Sequence, residues 1–99
     1  MKLQTLAREA YIRGNYAEPP GANAIDYAKQ VLALDAGNNY ARSILEDSVK
    51  GGKYQMQQAL TRKDFSGARR VAGALLKLLP ERRDVVELKE DIANAERVH

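Results

Sequence analysis

Residues 13–27 read RGNYAEPPGANAIDY, and how they are parsed decides the fold. RGNY (13–16) running straight into NAIDY (23–27) would be an ordinary turn between two helices, but AEPPGA (17–22) separates them. Pro19-Pro20 forces extended backbone, because the ring fixes φ at about −65° and disfavours helix in the residue before it. Gly21 permits a reversal, and Asn23 is placed to cap a helix, with Asp26 three residues on in a capping-box-like arrangement. The segment is a helical hairpin with an enlarged turn. Two readings of the insertion follow: a rigid spacer that resets the start of the second helix, or a loop that docks a partner.

Outward from this stretch the apolar residues recur at helical spacing. On the N-terminal side a helix over about residues 2–13 carries Leu3, Leu6, Ala7, Ala10 and Tyr11 on one stripe and stops at Gly14-Asn15. On the other side Ile25, Ala28, Val31 and Leu32 continue to about Asp35, where AGNN (36–39), with Gly37 available for a left-handed backbone, ends the second helix. A third starts at Asn38 or Asn39 and carries Ala41, Ile44, Leu45, Ser48, Gly52, Met56, Ala59 and Leu60. Its stripe stays in register across Gly51-Gly52, which predicts one helix of about two dozen residues, although each glycine costs about 1 kcal/mol relative to alanine. A break at the glycines is the competing reading, and small residues there would also let a neighbouring helix approach closely. Asp64 caps a fourth helix with Phe65, Ala68, Val71, Ala72, Leu75, Leu76 and Leu79 on its stripe, closed by Pro80. Asp84 and Glu87 form a second capping-box-like pair that opens a fifth helix, about 84–98, with Val85, Leu88, Ile92 and Ala95 in a narrow seam. A charged exterior suits that helix to cover the end of a stack. No segment sustains the alternation of a half-buried strand. The expectation is an all-α domain of about five helices.

Composition narrows the chemistry. Ninety-nine residues make one domain, enough to bury roughly 60–65% of the unfolded chain's surface without a metal or disulfide. Neither is offered: there is no Cys, and the one His is the terminal His99. Lack of Cys suits the cytosol and the periplasm equally. No apolar run reaches the roughly 18–20 residues of a membrane span, and MKLQTLAREAY at the N-terminus is too polar for a signal peptide. Net charge is +3, unevenly placed: residues 62–83 carry a local +5 and residues 84–99 a local −3.

Catalysis finds no constellation. Thr5, Ser43, Ser48, Thr61 and Ser66 have no His partner for an activated nucleophile, and Glu46-Asp47 and Glu90-Asp91 are adjacent, so on a helix they diverge by about 100°. Gly51-Gly52-Lys53 lacks the strand and spacing of a phosphate-binding loop. The sequence calls for no enzyme activity, no cofactor and no metal. The tyrosines Tyr11, Tyr16, Tyr27, Tyr40 and Tyr54 lie on or beside apolar stripes and read as packing residues, with Tyr11 and Tyr54 able to show an edge to a groove.

The chain also repeats itself. NAIDYAKQVLALDAGN aligns with SGARRVAGALLKLLPER, placing Ala24 with Ala68, Ala28 with Ala72, Leu32 with Leu76, Leu34 with Leu78 and Ala36 with Pro80. Each segment follows a turn and an aromatic, GNY at 14–16 and KDF at 63–65. With these turns, the small residues early in each second helix, and Leu3, Leu6 and Ala7 in a large-large-small pattern, the chain resembles the tetratricopeptide repeat family across essentially its whole length. The resemblance implies repeat one over about 1–38 with a Pro-rich insertion at 19–23, repeat two over about 39–81 and a capping helix, in a right-handed stack. It is similar as well to helical segments within larger bacterial proteins, some behind a membrane anchor, which implies one domain of a longer protein.

In that family ligands lie in the concave surface lined by the first helix of each hairpin. The resemblance therefore implies a groove of Gln4, Arg8, Tyr11 and Ile12 from repeat one, and Lys50, Lys53, Gln57, Leu60 and Thr61 from repeat two. A polar surface with three cations over an apolar floor suits an acidic or C-terminal carboxylate peptide through charge-assisted hydrogen bonds. The family's carboxylate clamp has asparagines where this chain has Arg8 and Gln57. The expected function is a non-catalytic protein or peptide scaffold; the alternative is a structural spacer or self-associating domain. A second surface of Arg69, Arg70, Lys77 and Arg82 avoids the apolar stripe and reads as solvated charge, since nucleic-acid binding needs a denser patch interleaved with aromatics.

Overall fold

A computed structural model describes residues 2–98, and all regular structure among them is helical. The helices are α1 (Lys2–Ile12), α2 (Ala24–Leu34), α3 (Asn39–Thr61), α4 (Phe65–Leu78), α5 (Arg83–Val86) and α6 (Leu88–Arg97). α3 runs unbroken through Gly51-Gly52 for 23 residues, and the chain divides there into two compact units, one up to Gly51 and one from Gly52 onward.

In the first unit α1, α2 and the start of α3 share a core of Ala7, Ala10, Ala24, Ala28, Val31, Ala41 and Ile44, with Leu3, Tyr11, Tyr27, Leu32 and Leu45 packed against it. Alanines predominate because short side chains let helix backbones draw close. The larger Ile25, Val31 and Val49 are fully buried, each stabilising by about 1.5–3 kcal/mol. Tyr16 lies flat against Gly51, where a Cβ would fall 2.5 Å from its ring. The inserted loop is tied down from within. Asn23 is fully buried; its Oδ1 accepts from the Asp26 amide at 2.8 Å, and its Nδ2 donates to Pro19 O at 3.0 Å and to Asp26 Oδ2 at 2.8 Å. The Gly21 amide donates to the same carboxylate oxygen at 3.0 Å. The Glu18–Pro19 bond is cis.

In the second unit Met56 and Ala59 of α3, Ala68, Val71, Ala72 and Leu75 of α4, Val85 of α5 and Leu88 and Ile92 of α6 are buried. Leu75 rests on Gly52, its methyls 3.1 Å from where a Cβ would stand. Asp64 caps α4 by accepting from the Gly67 amide at 2.9 Å.

Two expectations need correction. The fifth helix starts at Arg83 and is divided at Glu87, whose amide is shared between Arg83 O and Val85 O. Asp84 does not cap it: the N-cap is Arg82, with no side-chain cap bond, because the Asp84 carboxylate accepts from Lys53 Nζ at 2.8 Å and Arg82 Nε at 2.7 Å. Charge-assisted bonds of that kind are about twice as strong as neutral ones. Nor does Gly37 turn left-handed; α2 ends on Asp35 at φ −148 and ψ 87, and the described left-handed residues are Gly14, Gly21 and Lys63.

Part of the backbone hydrogen-bond pattern recurs between the two units. Asp35 N–H to Val31 O, Asn38 N–H to Asp35 O and Arg42 N–H to Asn38 O recur 44 positions on as Leu79 to Leu75, Arg82 to Leu79 and Val86 to Arg82. The hairpin turns recur 49 positions apart: Gly14 N–H to Tyr11 O and Asn15 N–H to Ala10 O match Lys63 to Leu60 and Asp64 to Ala59. This paired pattern is the Schellman motif, whose left-handed residue is Gly14 in one unit and Lys63 in the other. The difference between the offsets is the insertion. Ala68 N–H bonds Asp64 O in the ordinary helical manner, and Ala24 N–H makes the corresponding 2.8 Å bond to Asn15 O across the loop, followed by Ile25 to Tyr16. The loop is thus extruded from the first turn of α2, and the cap moves from residue 15 to Asn23.

Candidate functional site

The groove residues fall in both units. In the first, Gln4, Arg8 and Tyr11 share one face of α1; Arg8 is exposed, while Tyr11 is half-buried with its ring 5.6 Å from that of Tyr16 at a tilt of 55°. Lys50 is exposed on α3, and Ile12 is 69% exposed at the end of α1. In the second unit Gln57 and Thr61 are exposed on α3, Leu60 is half-buried, and Thr61 Oγ1 donates to Gln57 O of its own helix at 2.9 Å. Lys53 is not a free ligand for a carboxylate. Its ammonium is held by Asp84, which leaves Arg8 and Lys50 as the groove cations outside that pair.

The cluster at Asp84 has an electrostatic signature. Partial burial raises its carboxyl, but the hydrogen bonds and charges of Arg82 and Lys53 outweigh that and lower it from 3.8 to about 2. It therefore stays ionised and joins α3 to the entry of α5.

The second predicted surface is less basic than the sequence implies. Arg69, Arg70 and Lys77 are exposed on α4, yet Arg69 pairs with Glu96 of α6 and Arg82 is bound to Asp84. The positive excess of residues 62–83 is offset in space by acids from the following segment. His99 lies outside the described residues. Tyr40 and Tyr54, expected as packing residues, are 43% and 65% exposed, because Tyr40 opens α3 and Tyr54 faces away from its apolar stripe.

Two concave features escaped sequence reasoning. In the first unit Leu6 and Glu9 of α1, Arg13 just beyond it, Pro19 and Ala22 of the insertion and Tyr27 of α2 line a cleft of about 170 Å³. In the second, α4 and α6 leave a groove of about 410 Å³ with an apolar floor of Ala72, Gly73, Leu76, Ile92 and Ala93, flanked by Lys89 and the Arg69–Glu96 pair. The sequence does hold a trace of this groove, an otherwise unexplained Gly73 in the middle of a helix. Among the described residues no helix is long and apolar enough to cross a membrane. The chain matches no protein-family model, and no curated protein or solved structure is significantly similar to it.

Proposed function

We propose that the chain is a non-catalytic protein-interaction domain of tetratricopeptide type, which holds an acidic or C-terminal carboxylate peptide against α1 and the part of α3 that lies in the first unit. The observation that supports this reading is the recurrence of one backbone hydrogen-bond pattern, Schellman turn, helix exit and next helix start, in the two units. Such repeats expose long helix faces, and the faces here carry Arg8 and Lys50 in solvent. A guanidinium and an ammonium on a helix surface bind carboxylates by charge-assisted hydrogen bonds without any catalytic group.

The test is an amide NMR titration of the labelled protein with acidic C-terminal peptides. Shifts are expected at Gln4, Arg8, Tyr11 and Lys50, and Arg8→Glu with Lys50→Glu should weaken binding at least about tenfold while leaving helicity intact. Lys53 is unsuitable for this purpose, since replacing it breaks the bond to Asp84. A silent spectrum, or undiminished affinity in the double variant, rejects the groove.

A further inference from the structure

Gly73 lies in the interior of α4, where a glycine costs about 1 kcal/mol relative to alanine. The other glycines within described helices each have a neighbour where a Cβ would stand: Tyr16 at Gly51, Leu75 at Gly52 and the capping Asp64 at Gly67. At Gly73 a Cβ would meet nothing within 4 Å, and its backbone has no left-handed φ to require glycine. The helix gives up stability there for no contact within the chain. Gly73 opens onto the α4–α6 groove, whose floor is Ala72, Leu76, Ile92 and Ala93.

The repeat indicates what kind of element fits. By the 44-residue register of the backbone bonds, Ala93 and Glu96 of α6 correspond to Val49 and Gly52 of α3. Val49 and Gly52 are buried, and a helix lies on Gly52 through Leu75; Ala93 and Glu96 are exposed. The α6 face is open where its counterpart on α3 receives a helix. Charge selects further. Arg69 and Glu96 offset each other, and Lys89 leaves the groove with one net positive charge.

We propose that the α4–α6 groove seats an amphipathic helix of a partner protein, with an apolar side chain over Gly73 and acidic residues facing Lys89. This surface is separate from the α1 and α3 faces assigned to peptide binding, and it stands whether or not that assignment does. Small residues on the floor let a helix backbone approach closely, as in helix-in-groove recognition.

The probe is a stapled helical peptide with leucines along one face and glutamates beside them, compared with the same peptide bearing lysines for the glutamates, titrated into the full labelled chain. Saturable amide shifts are expected at Ala72, Gly73, Leu76, Ile92 and Ala93. Gly73→Leu should abolish them, and Lys89→Glu or the lysine peptide should weaken them by about tenfold or more. Because a Cβ at residue 73 has room, Gly73→Ala should raise the unfolding midpoint of the free protein, and cooperative unfolding of Gly73→Leu and Lys89→Glu near the parent midpoint shows that these variants fold. Shifts confined to other surfaces, equal binding of both peptides, or unchanged binding by Gly73→Leu overturns the proposal. Concentration-dependent self-association of the free chain that Gly73→Leu abolishes also overturns it, by assigning the groove to a second copy.

Discussion

At residue 63 the chain departs from the conformational rule that its own repeat displays. Gly14 and Lys63 close equivalent turns at φ 77 and φ 62. Glycine reaches that region freely, whereas a residue with a Cβ is strained there by roughly 1–2 kcal/mol. Glycine also has more freedom to lose on folding, so the net gain from Lys63→Gly is expected to be about 0.5–1 kcal/mol. A urea titration of the variant would show the midpoint rise without a change in slope; a fall would mean that the lysine side chain contributes more than its backbone costs. The reverse substitution, Gly14→Ala, should be destabilising for the same reason. Ser48 is a second local exception, a fully buried hydroxyl without a hydrogen-bond partner. The residue 44 positions on is Ile92, an apolar residue that is also buried.

Among the elements, the inserted loop is distinctive because its order comes from side chains instead of a helix ladder. Asn23 and Asp26 bond each other and together take up the Gly21 amide and the Pro19 carbonyl. Asn23→Ala removes the α2 cap, leaves the Asp26 amide without its acceptor and releases the Asp26 carboxylate that holds the Gly21 amide, so it should cost about 2 kcal/mol and speed hydrogen exchange at Gly21 and Asp26. Unchanged protection at both amides would show that proline stiffness alone holds the loop. The cap itself was legible in the sequence, because an N-cap and its partner three residues on are a local arrangement. The same signal misled at Asp84 and Glu87. There an equally good local pattern lost to Lys53, a partner 31 residues away that no cap rule registers.

For the molecule as a whole, charges far apart in sequence neutralise one another. The Lys53–Asp84–Arg82 cluster and the Arg69–Glu96 pair turn a basic segment followed by an acidic one into a surface of mixed sign. Stability should accordingly depend on pH at Asp84. Its folded pKa of about 2 lies below the ordinary 3.8, so its contribution is complete above about pH 4 and is lost as pH falls from there towards 2. With about a third of the side chain in solvent, solvent screening limits that contribution to about 1 kcal/mol. Asp84→Asn should lower the urea midpoint at pH 7, and the difference from the parent should shrink to a small fraction by about pH 2. A difference that persists in full at pH 2 would show that the loss arises from packing and not from the charge.

The sequence by itself determined the all-α class, the helix stripes and the caps at Asn23 and Asp64, because helical period and turn chemistry act over a few residues, and it left two readings of α3 at Gly51-Gly52, of which the structure shows the unbroken one. It indicated candidate cations without their partners. Which of them face solvent, that Lys53 is held by Asp84 and Arg69 by Glu96, and that α4 and α6 leave an open groove over Gly73 were decided only by tertiary structure. Ion pairing and groove shape depend on distances between residues that lie tens of positions apart, and those distances exist only once the helices have packed.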